Sequence, residues 1–261
     1  MTNKLSWSTT MRRSSAVTAT GLALGLAGCG GSGTSSGNQT VAGASQLVSG
    51  ATVSTYAQLD SNNTVLAAGA LVPLTVLTNP PAAPGTGNAG AIVTLAFPAQ
   101  VQQSTYLNHF EMHWEPSGHP PAVFQVPHFD LHFYNQTVAQ VAAVAPPDPT
   151  PPASDHVPAG YTYPGPAQTV PQMGVHAIDP TQLQNGFTDV MIAGFYGGRM
   201  TFVEPMATQA LLAQKKDFTL VVPRPAVLGL ATRYPTKFTA TYDAGSDAYT
   251  FEFSDFVSVT Q

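Results

Sequence analysis

Two short stretches, "HFEMHW" at His109–Trp114 and "HFDLHFY" at His128–Tyr134, alternate strictly between ionisable and apolar residues. A period of two belongs to the β-strand, whose successive side chains point to opposite faces. His109, Glu111 and His113 therefore share one face of the first strand, with Phe110, Met112 and Trp114 on the other. In the second, His128, Asp130 and His132 oppose Phe129, Leu131 and Phe133. The connection "EPSGHPPAVFQV" is rich in turn residues and predicts antiparallel neighbours joined by a broad loop that carries His119. Five of the chain's seven histidines fall in this one hairpin.

Strand patterns dominate elsewhere. Two β-leaning runs in "ATVSTYAQLDSNNTVLAAGALVPLTVL" flank Asp60, Ser61, Asn62 and Asn63, which suit a tight turn. "PPAAPGTGNAG" reads as a loop, and "AIVTLAF" as a strand stopped by Pro98. "NQTVAQVAAV" has helical spacing at Val138, Val141, Ala142 and Val144 with Asn135 or Thr137 as cap, and a long proline-rich loop follows. A hairpin turns at Gly197 and Gly198, "TQALLAQKK" reads as a short helix, and a closing hairpin turns near Gly245. The expected fold is mainly β, at the margin of α+β, with antiparallel sheets in a sandwich-like arrangement and one or two short helices. No phosphate loop, GxSxG elbow, dinucleotide fingerprint or fixed-period repeat occurs.

The N-terminus carries Lys4, Arg12 and Arg13, then the apolar run "AVTATGLALGLAG", then "LAGC" with the chain's only cysteine. That order reads as a lipoprotein signal over residues 1–28 with Cys29 as the lipidated residue, and Met11 would serve equally as the start. Residues 29–49, uncharged and rich in glycine and serine, read as a flexible tether, and 50–261 as a single β-rich domain. No second cysteine remains for a disulfide, so stability must come from core burial. Cleavage would remove three of the nine basic residues and none of the 14 acidic ones, leaving a formal charge of −8. Such a surface repels nucleic acid and anionic headgroups, so the lipid on Cys29 is the expected tie to a membrane and the cell envelope the expected location.

The histidine face points to a divalent metal such as zinc, because neutral imidazole is the commonest metal donor. A loop placed symmetrically between His113 and His128 would set Glu111 opposite Asp130 and His109 opposite His132. Two carboxylates in that position repel, and a cation or shared proton would relieve them. Residues i and i+4 of a strand lie roughly 13 Å apart, so one ion cannot take every histidine. The expected site therefore uses His113 and His128 near the loop, with His176 or Glu204 as a further ligand. His109 and His132 would form a second site or a hydrogen-bonded pair. Glu204, in "TFVEPM", needs a partner among its apolar neighbours, either Arg199 or the histidine cluster. His156, in the proline-rich loop, reads as surface.

The segments "HWEPSGHPP", "VPHFDLHFY", "MGVHAID", "YGGRMTFVEPM" and "RYPTKFTATYDA" resemble, in order, the signature segments of an uncharacterised bacterial family of secreted and envelope proteins typified by a Thermus envelope-stress protein. The resemblance runs from about Ser54 to Thr260. It implies a mainly antiparallel β fold and homo-oligomers, and it assigns no activity. The family has a further histidine where this chain has Ser117, and an aromatic residue where it has Ala177.

Three functions compete: a metal-binding envelope lipoprotein, a metal-dependent hydrolase or oxygenase with Glu111 or Asp130 as general base, and a structural homo-oligomer without metal. Three protein ligands facing a cleft would favour catalysis, and a closed set of four would favour binding or structure.

Overall fold

The computed structural model describes residues 37–84 and 90–260. The expected signal peptide and Cys29 lie outside the described residues, as does the first part of the expected tether. Among the described residues the chain forms two six-stranded antiparallel sheets and a two-stranded ribbon. The first sheet runs β1 (Gln39–Val48), β2 (Ala51–Leu59), β3 (Val65–Pro73), β13 (Ala248–Ser254), β12 (Lys237–Asp243), β10 (Phe218–Leu220). The second runs β4 (Val93–Ala96), β5 (His109–Glu115), β6 (His128–Tyr134), β9 (Arg199–Thr208), β8 (Asp189–Tyr196), β7 (Val175–Ala177). β11 (Thr232–Tyr234) and β14 (Val257–Val259) make the ribbon. Four short helices, α1 (Leu74–Thr78), α2 (Ala99–Ser104), α3 (Val138–Ala142) and α4 (Gln209–Leu212), lie in the connections.

The expected hairpins form, each on its own turn chemistry. Asp60 Oδ1 accepts the Asn62 and Thr64 N–H groups, both at 2.8 Å, and closes β2 onto β3. Gly197 and Gly198 take φ of +66° and +84°, the left-handed pair that a two-residue turn between β8 and β9 requires. α3 is capped by a reciprocal box: Thr137 Oγ1 accepts from Gln140 N–H, and Gln140 Oε1 accepts from Thr137 N–H.

Two expectations need correction. Residues 39–48 of the expected tether form β1, paired with β2 through a turn at Ser49 and Gly50. Composition hid it, because small residues are what this edge requires. A Cβ on Gly43 would fall 2.2 Å from Thr55 Oγ1, and that hydroxyl donates to the Ala96 carbonyl of β4 at 2.7 Å. Leu74–Thr78, read as the end of a strand, is α1 instead, since Pro73 ends β3 and a turn of helix buries Leu74, Val76 and Leu77.

One apolar core joins the two sheets. Phe110, Met112, Phe129, Leu131 and Phe133 of β5 and β6 are fully buried in it together with Phe251 and Phe253 of β13. Phe133 meets Phe253 edge-on with ring centroids 4.8 Å apart. Every residue of β5 and β6 is nonetheless buried, on both faces. The outer face of the second sheet is covered by a smaller cluster in which Phe124 from the loop and Val141 from α3 pack on Tyr134, Val190, Ile192, Phe202 and Met206. The loop that carries His119 and Phe124, together with α3, thus covers part of the histidine face.

Candidate metal centre

β5 and β6 pair antiparallel with the histidines and acids on one face, as the alternation predicts. The register differs from the symmetric loop by two residues. Glu111 pairs with His132, His113 with Asp130, and Glu115 with His128. Each acid now stands opposite a histidine instead of another acid, which removes the like-charge pair. Extending β5 to Glu115 adds a residue that the sequence reading missed, buried to 1% exposure. His113 and His128 are therefore not cross-strand partners, and the expected site built on them does not form.

The groups gather instead into two clusters of three, in each of which the ligand atoms lie within 4.8 Å of one another. The first is His119, His128 and Asp130. His128 Nε2 is 3.1 Å from Asp130 Oδ1, His119 Nε2 is 3.4 Å from Asp130 Oδ2, and the two Nε2 atoms are 3.2 Å apart. The other ring nitrogens face backbone carbonyls: His128 Nδ1 lies 2.6 Å from Val126 O and His119 Nδ1 2.9 Å from Pro120 O. A carbonyl only accepts, so each Nδ1 carries a proton and each Nε2 is directed at the same carboxylate. Burial opposes charge on His119, but the hydrogen bond and charge of Asp130 raise it overall, so a proton shared with Asp130 holds the cluster in the absence of metal and a divalent cation can take its place.

The loop places His119. Gly118 takes φ of +66°, and a Cβ on it would fall 1.9 Å from the Phe124 carbonyl oxygen, so only glycine lets the chain double back over β6. Phe124 and Phe187 then pack edge-on with ring centroids 4.9 Å apart, and both lie against the His128 ring.

The second cluster, His132, His176 and Glu204, draws on β6, β7 and β9. Glu204 Oε2 is 3.4 Å from His176 Nε2 and 3.6 Å from His132 Nε2 without hydrogen-bond geometry to either. Glu204 thus faces the histidines, as the sequence suggests, and not Arg199. The Phe202 ring supports both imidazoles, with centroids 5.0 Å from His132 and 5.1 Å from His176. Gly194 makes that possible, since a Cβ there would fall 2.1 Å from the ring. No local pattern announces this triad, because its members come from three strands.

His109 and Glu111 stand apart from both clusters. Glu111 sits between two imidazoles, with His109 Nε2 3.4 Å from one oxygen and His113 Nε2 3.5 Å from the other. His109 does not reach His132; it stacks on Tyr134 at 4.9 Å, with Nδ1 2.9 Å from the Gln136 carbonyl. His156, expected at the surface, is half-buried, with its Cε1 3.0 Å from where a Cβ on Gly229 would lie.

Electrostatics separate the groups. Burial, then the neighbouring His113 and His176, pushes His132 well below the usual histidine range, and burial pushes His176 down to about 4. Both rings are neutral at pH 7, as metal ligation requires. Burial and the Asp130 charge push the Glu204 carboxyl well up. Burial opposes ionisation of Glu111 and Asp130 too, but hydrogen bonds and charge from His109 and His113 bring Glu111 down to about 2, and those from His119 and His128 lower Asp130. Glu204 alone among these acids pays desolvation without a compensating cation.

A cleft of about 570 Å³ exposes one imidazole from each cluster, His119 and His176. Their side chains are 12% and 23% exposed, whereas His128, Asp130, His132 and Glu204 are at 3% or below. Glu111 and His113 line a separate cavity of about 300 Å³. Comparison of the chain with family models, with curated proteins and with solved structures found no match. The buried histidine and carboxylate groups can hold a metal, and the chemistry of the two clusters rests on their geometry.

Proposed function

We propose that this protein binds divalent metal, zinc or a similar ion, at two sites of two histidines and one carboxylate each, on an envelope lipoprotein. The observation that carries this reading is the convergence of His119 Nε2 and His128 Nε2 on Asp130 while both Nδ1 atoms face backbone carbonyls. Metal-bound histidines are held in this way, the second ring nitrogen donating to a carbonyl or carboxylate that fixes the tautomer. The envelope part rests on the "LAGC" box and the charged, then apolar, leader. Membership of the envelope family and homo-oligomeric assembly, both implied by the resemblance, belong to the same proposal.

A second reading, a metal-dependent hydrolase or oxygenase, is favoured by one feature. Each cluster offers three ligands, not four, and each places a histidine in the cleft, which is the arrangement of an open coordination position. Elemental analysis of the chain purified without an affinity histidine tag tests the metal reading, with two equivalents of metal expected. A trace that is unchanged in His128→Ala would refute it. Fatty-acid labelling of cells tests the anchor: Cys29→Ser should abolish both label and membrane fractionation.

A further inference from the structure

The two clusters share no ligand: Asp130 turns toward His119 and His128, whereas Glu204 lies against His132 and His176. Each site, with one carboxylate and two neutral histidines around a divalent ion, keeps one positive charge and an incomplete coordination sphere. Both sites reach the same cleft, through His119 and His176. Its other walls are mostly apolar, with Ile192 and Met206 from the sheet and Pro164 and Ile178 opposite, and Thr162 and Gln168 as uncharged polar residues. Among the described residues no Lys, Arg, Asp or Glu lines the cleft, and Glu111 lines the other cavity. A ligand that satisfies both ions must supply two separated anionic donors and an apolar middle.

From this geometry we infer that the metal-loaded cleft binds a small organic dianion of the dicarboxylate class, one carboxylate on each ion and a short carbon chain against Ile192 and Met206. The inference rests on the two-site reading above. It also gives that reading a ligand class for either role, carrier or enzyme.

The test uses the full chain loaded with zinc, freed of unbound metal, and titrated calorimetrically with malonate, succinate, glutarate and acetate. Because the second carboxylate binds within an already tethered ligand, the best dicarboxylate should bind about 10²-fold tighter than acetate. It should show no binding to the metal-free chain. Glu204→Gln, which keeps side-chain shape and weakens one site, should bring the dicarboxylate down to the acetate level. If two zinc ions are bound and no dicarboxylate exceeds acetate, or if titration strips zinc from the protein, the bridging-ligand inference is overturned while the metal reading stands. If zinc does not bind, both fall together.

Discussion

Replacing Asp130 by Asn keeps shape and volume but removes the carboxylate charge on which His119 and His128 converge. Structural zinc sites with four ligands bind with about 10–16 kcal/mol, so one ligand is worth about 3–4 kcal/mol, or 10²- to 10³-fold in affinity. At free zinc about 100 times the wild-type Kd, an intact site stabilises the fold by about 2.7 kcal/mol; a 100-fold weaker site contributes about 0.4 kcal/mol. The lost 2.3 kcal/mol corresponds to about 5–9 °C in Tm for a domain of this size, at about 2–4 °C per kcal/mol. Thermal melts with and without zinc, alongside zinc content, measure it. Asp130→Asn should retain the ion at His132, His176 and Glu204 and half-fill the weakened site at that free zinc, so content should fall from two to about 1.5, and to about one once unbound metal is removed, while the zinc-induced shift should shrink but not vanish. Equal content and equal shifts in wild type and variant would refute the claim that this cluster holds an ion, leaving a hydrogen-bonded ladder in its place.

Glu204→Gln should stabilise the metal-free protein in chelator by about 1–3 kcal/mol near pH 8, because it removes a buried carboxylate that has no cation. The sign follows from the raised folded-state pKa: the wild-type penalty begins as pH rises above the unfolded value of about 4.5 and grows until the folded carboxyl ionises, so the advantage of Gln in chemical denaturation should disappear by pH 4. Gly118→Ala should lower zinc content at the first cluster by displacing the loop that carries His119, with the second cluster still filled in the same metal assay. Phe133→Ala, on the opposite face against Phe97, Phe110 and Phe253, should cost about 3–5 kcal/mol of folding stability in denaturant titration, whatever the metal content.

The faces of β5 and β6 were legible because a period-two pattern needs no tertiary information. Phe110, Met112 and Phe133 fall in the core, and His109, Glu111, Asp130 and His132 fall opposite, as the alternation requires. Turns at Asp60 and Gly197 were legible for a similar local reason, since their side-chain bonds and left-handed backbone are properties of a few adjacent residues. Strand order was not legible. β13 enters the first sheet beside β3, and β9 lies between β6 and β8, through contacts between segments far apart in sequence. His119 escaped because its role depends on the Gly118 reversal over β6, which local spacing does not encode. β1 escaped because glycine and serine composition resembles a linker, although Gly43 serves close packing against Thr55.

The register of the central hairpin shows how one electrostatic rule links fold to chemistry. Had Glu111 faced Asp130, the two acids would have competed for one cation across the strands. With each acid opposite a histidine, Glu111 is held between His109 and His113, and Asp130 is free to turn along its own strand toward His128 and the loop. His132, displaced from His109, reaches Glu204 on β9 and His176 beyond it. The same two-residue shift therefore divides the face into two triads that open on one cleft. It also makes the triads unequal. Both imidazoles of the first have their Nδ1 fixed by a backbone carbonyl, whereas His132 Nδ1 is buried without a hydrogen-bond partner among the described residues. An unfixed ring must also lose orientational freedom on binding and lacks the carbonyl that raises its basicity. The first cluster should accordingly fill first in a zinc titration, and the second should lose its ion first to a competing chelator.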